Sequence, residues 1–249
     1  MQLTTKYIVR LLSELGVSTF STEEYARLMG LPLERAHASL HRLARSGAVR
    51  RLRRGRYLLA GHGEPESLGR PLFLGAQLAE PGYIAFWSAL HYYGWTDQAP
   101  RVVFVANTRR SGRRQVGAFG FQLVRLARHR FFGYRTAREG SLEFPVAEPE
   151  KAILDAFYLP RLVGGIDVAA SSTADALATL DMGRLEDYAA RMQIPSLCSR
   201  LGYVLEDLGV ESEALRRLRA RSYVKLEPLR PRRGRFVSKW NVIDNRGAG

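Results

Sequence analysis

Cysteine is almost missing from this chain: its 249 residues carry one, Cys198. That excludes an internal disulfide framework and any cysteine-based zinc cluster. Long apolar runs are missing too. Stretches such as 102–106 fall far short of the ~20 residues that a membrane-spanning helix needs. No apolar signal-type segment follows the first basic residues, so a cytoplasmic location with no membrane partner is expected. Lysine is scarce, with Lys6, Lys151, Lys225 and Lys239 only. Acid is in deficit as well: 24 acidic side chains face 38 basic ones, for a net charge of +14. The excess is therefore arginine, whose planar fork matches phosphate oxygens and guanine edges. A hydrophobic share of 46% against 25% charged excludes wholesale disorder, and the length suits one large domain or two small ones.

The charge is segregated. Residues 1–60 hold eleven basic and four acidic side chains, residues 101–138 hold ten arginines and no acid, and residues 216–239 hold ten basic side chains against Glu227 alone. The rest of the chain is acidic on balance. Charge that served only solubility would not need this segregation, so one or more anion-facing surfaces are expected, with nucleic acid as the first candidate.

Helix signals fill the first sixty residues. Ile8, Leu11, Leu12 and Leu15 recur at i, i+3, i+4 and i+7 over residues 5–15, with Gly16 as the stop. Ser21-Thr22-Glu23-Glu24 reads as a capping box opening a second helix through Tyr25, Leu28 and Met29 to Gly30. Pro32 opens a third, running to about Ser46 before Gly47. Residues 49–59 then read as two short strands around a turn near 53–55. Three helices followed by a basic hairpin predict a winged helix-turn-helix over residues 1–60.

At ~100° per residue, Ala36, Leu40, Leu43 and Ala44 gather on the inner side of the third helix. Arg35, Ala38, Arg42 and Arg45 lie opposite, with Ser39 and His41 on the flanks, while His37 falls nearer the apolar side. Such a small, basic, hydrogen-bonding face has the size that enters a major groove. Arg50, Arg51, Arg53, Arg54 and Arg56 flank the hairpin turn and are expected on phosphates.

Residues 61–70, glycine-rich and without period, predict a linker. A mixed α/β region is expected over 71–165. It has helices at 72–78 and 84–93, strands at 101–106 and 119–126 joined by an arginine-rich loop at 108–117, and a short strand at 144–147. Glu148-Pro149-Glu150 is a favourable helix start, with acids at the positive end of the macrodipole. Residues 166–249 read as mainly helical (174–180, 185–192, 196–208, 213–220), closed by strands at 223–227 and 235–243. The expected class is α+β. Arg109, Arg110, Arg113 and Arg114 of the loop, with Arg232, Arg233 and Arg235, are candidates for further phosphate contacts.

A search for catalytic chemistry yields little. There is no glycine-rich phosphate loop with lysine and no Gly-x-Ser-x-Gly elbow. His37 and His41 have metal-ligand spacing, but the zincin glutamate and an evident third ligand are missing. Glu148-Pro149-Glu150-Lys151 departs from the carboxylate–x–lysine spacing of nucleases. Asp155 instead suits an i, i+4 pair with Lys151, and His91 suits a packing or capping role. No catalytic residue, metal or cofactor is expected.

Several segments carry a resemblance. These are Pro81-Gly82-Tyr83-Ile84 with Trp87-Ser88-Ala89-Leu90-His91-Tyr92-Tyr93-Gly94-Trp95-Thr96; Phe104-Val105-Ala106; and Arg130-Phe131-Phe132-Gly133. They continue with Val146-Ala147-Glu148-Pro149-Glu150-Lys151-Ala152-Ile153-Leu154-Asp155; Lys225-Leu226-Glu227-Pro228-Leu229; and Trp240-Asn241-Val242. In this order, over nearly the whole chain, they resemble the AbiEi family, the antitoxin half of AbiE-type (type IV) toxin–antitoxin systems. Glu148 departs from the aspartate more often expected there. The resemblance implies a winged-helix repressor that binds inverted repeats of double-stranded DNA in the operator of its own operon. It also implies an antitoxin domain over 71–249 that neutralises a nucleotidyltransferase-like toxin without a stable complex and can assist DNA binding. The matching residues are mostly apolar, glycine or proline, so no catalytic residue is carried over. Three readings stay open: this repressor–antitoxin, a free-standing regulator with no toxin partner, and an enzyme acting on nucleic acid. RNA is a further candidate partner for the C-terminal basic segments.

Overall fold

Cap chemistry sets the first elements of the computed structural model, which describes residues 4–60, 69–98 and 100–247. The expected linker falls, for residues 61–68, outside the described residues. Helix α1 (Thr5–Glu14) is capped by Thr4, whose hydroxyl accepts from the Tyr7 amide at 3.4 Å. At the start of α2 (Thr22–Met29) Ser21 Oγ accepts from the Glu24 amide at 3.1 Å, and the Glu24 carboxylate accepts from the Ser21 amide at 2.6 Å. This is the reciprocal box expected from the sequence, and the helix ends at Gly30 with φ +61°. Helix α3 (Leu33–Arg45) follows Pro32.

Strands β1 (Thr19–Ser21), β2 (Val49–Arg53) and β3 (Arg56–Leu59) form an antiparallel sheet in the order β1-β3-β2. The hairpin β2–β3 turns on Arg54-Gly55, with Gly55 at φ +71°. β1 adds a strand to the expected pair; three residues are too few for a period to show. Ile8, Leu12, Phe20, Tyr25, Ala36, Leu40, Leu43, Val49, Tyr57 and Leu59 close a small core of their own. Within it the Phe20 ring stacks on Tyr25 and Tyr57, with centroids 5.8 and 6.1 Å away.

Beyond the linker, α4 (Pro71–Leu78), β4 (Gly82–Ile84), α5 (Phe86–Tyr92), β5 (Val102–Asn107), β6 (Gly112–Val116), β7 (Phe119–Arg125), β8 (Tyr134–Glu139) and β9 (Leu142–Ala147) build a six-stranded sheet. Its order is β6-β7-β5-β4-β9-β8, with β5/β7 and β4/β9 parallel and the other pairs antiparallel. Three expectations are corrected here. The helix expected at 84–93 begins at Phe86, because Ile84 ends a central strand; a short run buried on all sides reads alike as helix or strand. The arginine-rich segment 108–117 is no plain loop, since β6 pairs with β7 along it. β8, not expected at all, pairs with β9. Both β6 and β8 are sheet edges dressed in charge, as exposed edges require, and that polarity hides the alternation on which strand recognition rests.

The C-terminal part contributes α6 (Pro149–Tyr158), α7 (Ile166–Ala176), α8 (Met182–Met192), α9 (Pro195–Asp207) and α10 (Glu213–Leu218), then a small sheet of β10 (Val224–Lys225), β11 (Arg235–Val237) and β12 (Val242–Asp244) in the order β10-β12-β11. The strand expected at 235–243 is thus two strands around a turn with Asn241 at φ +51°. The Trp240 ring lies so close over α9 that a Cβ at Gly202 would stand 2.1 Å from it. The class is mixed α+β.

Helix α6 lies at the centre, buried along 150–157. Its Lys151 and Asp155 make the expected i, i+4 pair, but fully buried and with a third member, Tyr83 of β4. Lys151 Nζ donates to the Tyr83 hydroxyl at 2.9 Å and ion-pairs with Asp155, and that hydroxyl donates to Asp155 Oδ2 at 3.1 Å. Burial pushes the Lys151 ammonium below its ordinary range and the Asp155 carboxyl above, against their mutual attraction. Removing one partner, by Lys151→Met or Asp155→Asn, is expected to cost about 3–5 kcal/mol, because the remaining group is buried uncompensated. The double variant Lys151→Met, Asp155→Leu is expected to lose less than either single one. Urea unfolding of the three proteins checks this; singles as stable as the parent would refute it.

Candidate nucleic-acid interface

Helix α3 is positioned by its inner side: Ala36, Leu40 and Leu43 are buried in the N-terminal core. Arg35, Ala38, His41, Arg42 and Arg45 are all exposed on the other side, where the sequence places them. Ser39 is a correction. It is buried, with its Oγ 2.8 Å from the Tyr25 hydroxyl, and is turned away from any ligand on this face. A signal for this exists, since Ser39 stands three residues after Ala36 and four before Leu43, on the inward stripe. His37, expected nearer the apolar side, is exposed. Among the described residues, no ion pair neutralises Arg35, Arg42 or Arg45.

The five arginines of the hairpin divide into two groups. Arg50, Arg51 and Arg54 are exposed. Arg53 and Arg56, expected on phosphates, point inward and are corrected. Arg53 Nε donates to the Gln77 carbonyl oxygen at 3.1 Å, and its guanidinium ion-pairs with Glu80. Arg56 donates to Gln77 Oε1 at 2.9 Å, to Glu24 at 3.0 Å and to Thr19 Oγ1 at 3.2 Å. Their partners lie mostly in α4 and the segment after it, so no local pattern announces the role. Leu52 and Leu58 from the same hairpin are buried in the larger, C-terminal core.

This packing carries the exposed arginines towards the second basic segment. A Cβ on Gly117, in the β6–β7 turn, would stand 3.7 Å from Arg50 Nη1. On β6, Arg113 and Arg114 are exposed; Arg113 Nε donates to Gln122 Oε1 at 3.3 Å. Arg109 and Arg110, also exposed, have their backbone amides held by Asn107 Oδ1 at 2.9 Å each. Buried Asn107 further donates to the carbonyls of Arg110 (2.8 Å) and Val124 (3.2 Å), organising the start of the loop. Sequence reading missed Asn107, although an asparagine at a strand end is a turn former. Arg232, Arg233 and Arg235 are exposed on a different element, β11 and the segment entering it.

The acids of 148–155 gather in no open site. Glu148 accepts from the Tyr188 hydroxyl at 2.6 Å, and buried Glu150 accepts from the Asp181 amide at 2.9 Å. Lys151, Asp155 and Tyr83 are sealed in the core. His91 is exposed, with Nδ1 3.4 Å from the Thr96 carbonyl oxygen. Among the described residues no three His, Cys, Asp or Glu side chains are grouped to hold a metal ion, and no helix is long and apolar enough to cross a membrane.

Compared with protein-family models and with curated protein sequences, the chain matches none. Among solved structures it is similar to the crystal structure of the RV2827C protein from Mycobacterium tuberculosis, at a TM-score of 0.62 and 16% identity. The likeness covers 98% of this chain and 92% of that one, so the two share a fold along nearly their full lengths.

Proposed function

We propose that this protein is a DNA-binding transcriptional repressor and antitoxin of the AbiEi type. Residues 4–60 then act as a winged helix-turn-helix, with α3 reading base edges in the major groove and the hairpin β2–β3 as the wing. One observation carries this reading: the unpaired, exposed arginine face of α3, backed by a basic hairpin whose Arg50 adjoins the β6–β7 turn. Arg42 and Arg45 suit guanine edges, His41 and Arg35 flank them, and Arg50, Arg51 and Arg54 suit phosphates. Arg113 and Arg114 extend the phosphate track from the second part of the chain.

The resemblance of segments 81–96, 146–155 and 240–242 supports the rest. The protein represses its own operon through inverted repeats, and residues 71–249 neutralise a nucleotidyltransferase-like toxin without a stable complex.

Arg42→Ala with Arg45→Ala is expected to erase discrimination between operator and scrambled duplex, each base contact being worth about 1–3 kcal/mol. Footprinting at the promoter reads this, and an unchanged footprint would overturn the assignment of α3. Arg113→Ala with Arg114→Ala is expected to lower the slope of log affinity against log salt by about 1.8, two phosphate contacts at ~0.9 each. An unchanged slope would confine DNA contacts to the N-terminal unit. Co-expressed with a nucleotidyltransferase-like toxin of the AbiE type, the full chain is expected to restore growth, and the Arg42, Arg45 variant should do so equally well. Failure of the parent protein to rescue would leave a regulator without a toxin partner.

A further inference from the structure

The third basic concentration sets a strongly exposed aromatic ring, packed on a half-buried one, among its cations. Phe236 of β11 is 60% exposed, and its ring meets Tyr223 edge-on at 5.0 Å and 74°. Strand alternation explains the placement. Val237 packs on the main core, and exposed Arg235, on the same side of the strand, reaches along the rim to the Tyr203 hydroxyl at 3.1 Å. Phe236, in register with buried Ile243, stands on the outer face of this edge strand.

The segment entering β11 is pressed onto β12. Gly234 has φ +151°, and a Cβ there would lie 2.0 Å from the Asp244 carbonyl oxygen. Exposed Arg233 is thereby held next to the strand. Arg232 reaches back to donate to the Tyr223 carbonyl oxygen at 3.2 Å, which holds its guanidinium beside the Tyr223 backbone. Residues 228–239 contain four arginines, one lysine and no acid.

We propose that Tyr223 and Phe236 form a stacking platform for the unpaired bases of a single-stranded polynucleotide, whose phosphates are held by Arg232 and Arg233. Flat aromatic faces interleaved with arginine are the chemistry of single-strand recognition. A duplex offers such a ring no base face, since its bases already stack on one another, and Arg232 and Arg233, with no ion pair among the described residues, suit a polyanion. The site is separate from α3 and does not rest on the reading of α3.

Fluorescence anisotropy of the full-length protein tests it, with a 12-nucleotide uridine-rich RNA, the DNA strand of the same sequence and an unrelated DNA duplex as probes. At least one single strand is expected to bind more tightly than the unrelated duplex. Phe236→Ala is expected to weaken strand binding about 5- to 150-fold, the value of one stacked base. Phe236→Trp should retain binding and Phe236→Leu should not, because leucine is apolar but cannot stack. Arg232→Ala with Arg233→Ala should lower the salt slope by about 1.4, two contacts at ~0.7 each for a single strand. The Arg42, Arg45 variant should bind the strands as the parent does, so the two sites fail or stand separately. Absence of strand binding at low salt, a duplex bound by the Arg42, Arg45 variant as tightly as the strands, or Phe236→Ala or Phe236→Leu binding within twofold of the parent would each overturn the proposal.

Discussion

The placement of the N-terminal unit depends on one seam, where the hairpin β2–β3 lies on α4. Burial of Leu52 and Leu58 in the C-terminal core supplies the larger energy, about 1.5–3 kcal/mol for each side chain fully removed from water. Arg53 and Arg56 supply direction. Each guanidinium bonds to Gln77, one to its backbone oxygen and one to its side chain, so the hairpin cannot slide along the helix without breaking both. The accompanying pair with Glu80 is solvent-exposed on the acid's side and adds little by itself. With the hairpin fixed, the outward direction of α3 is fixed too, and Arg50 meets the β6–β7 turn. Two of the hairpin's five arginines are thus withdrawn from its exposed basic surface.

A second constraint lies deeper. The triangle of Tyr83, Lys151 and Asp155 ties the central strand β4 to α6, and the rest of the 146–155 segment is equally inward. Glu150 holds the N-terminal end of α8 through the Asp181 amide, and Glu148 holds its middle through Tyr188. A buried ion pair is weak evidence for stability, since desolvation offsets much of the attraction. Its geometry is nevertheless demanding: strand and helix must be placed so that an ammonium, a carboxylate and a phenol all meet within hydrogen-bond reach. This segment, which looked most like catalytic chemistry, is spent on defining the fold.

What could be read beforehand follows from where the information lies. The capping box of Ser21 and Glu24, the stops at Gly16 and Gly30 and the i, i+4 pair of Lys151 and Asp155 are local, and all are present as expected. Edge strands β6 and β8 escaped because both of their faces are polar, and β1 because it is three residues long. Among the site residues, Ser39 was legible in principle from the spacing of Ala36 and Leu43. The inward turn of Arg53 and Arg56 was not, because their partners lie more than twenty positions away in the chain. Tyr83 was illegible for the same reason: nothing between 83 and 151 signals that a strand and a helix meet there.

The net charge of +14 also means less, and more, than a count. Several arginines clamp backbone rather than face solvent: Arg130 donates to the Met192 carbonyl oxygen at 3.0 Å, and Arg200 to that of Lys225 at 2.9 Å, where burial pushes its pKa down. Arg230 bonds the Arg246 carbonyl oxygen, and Arg246 turns to Asp244 and Asp207. These residues use a fork of several donors in fixed directions, which lysine lacks. The outward ones on α3, β6 and the entry to β11 present the same fork to solvent. Interior clamps and solvent-facing residues cannot be told apart by composition. They separate only when each guanidinium is followed to the oxygen it meets.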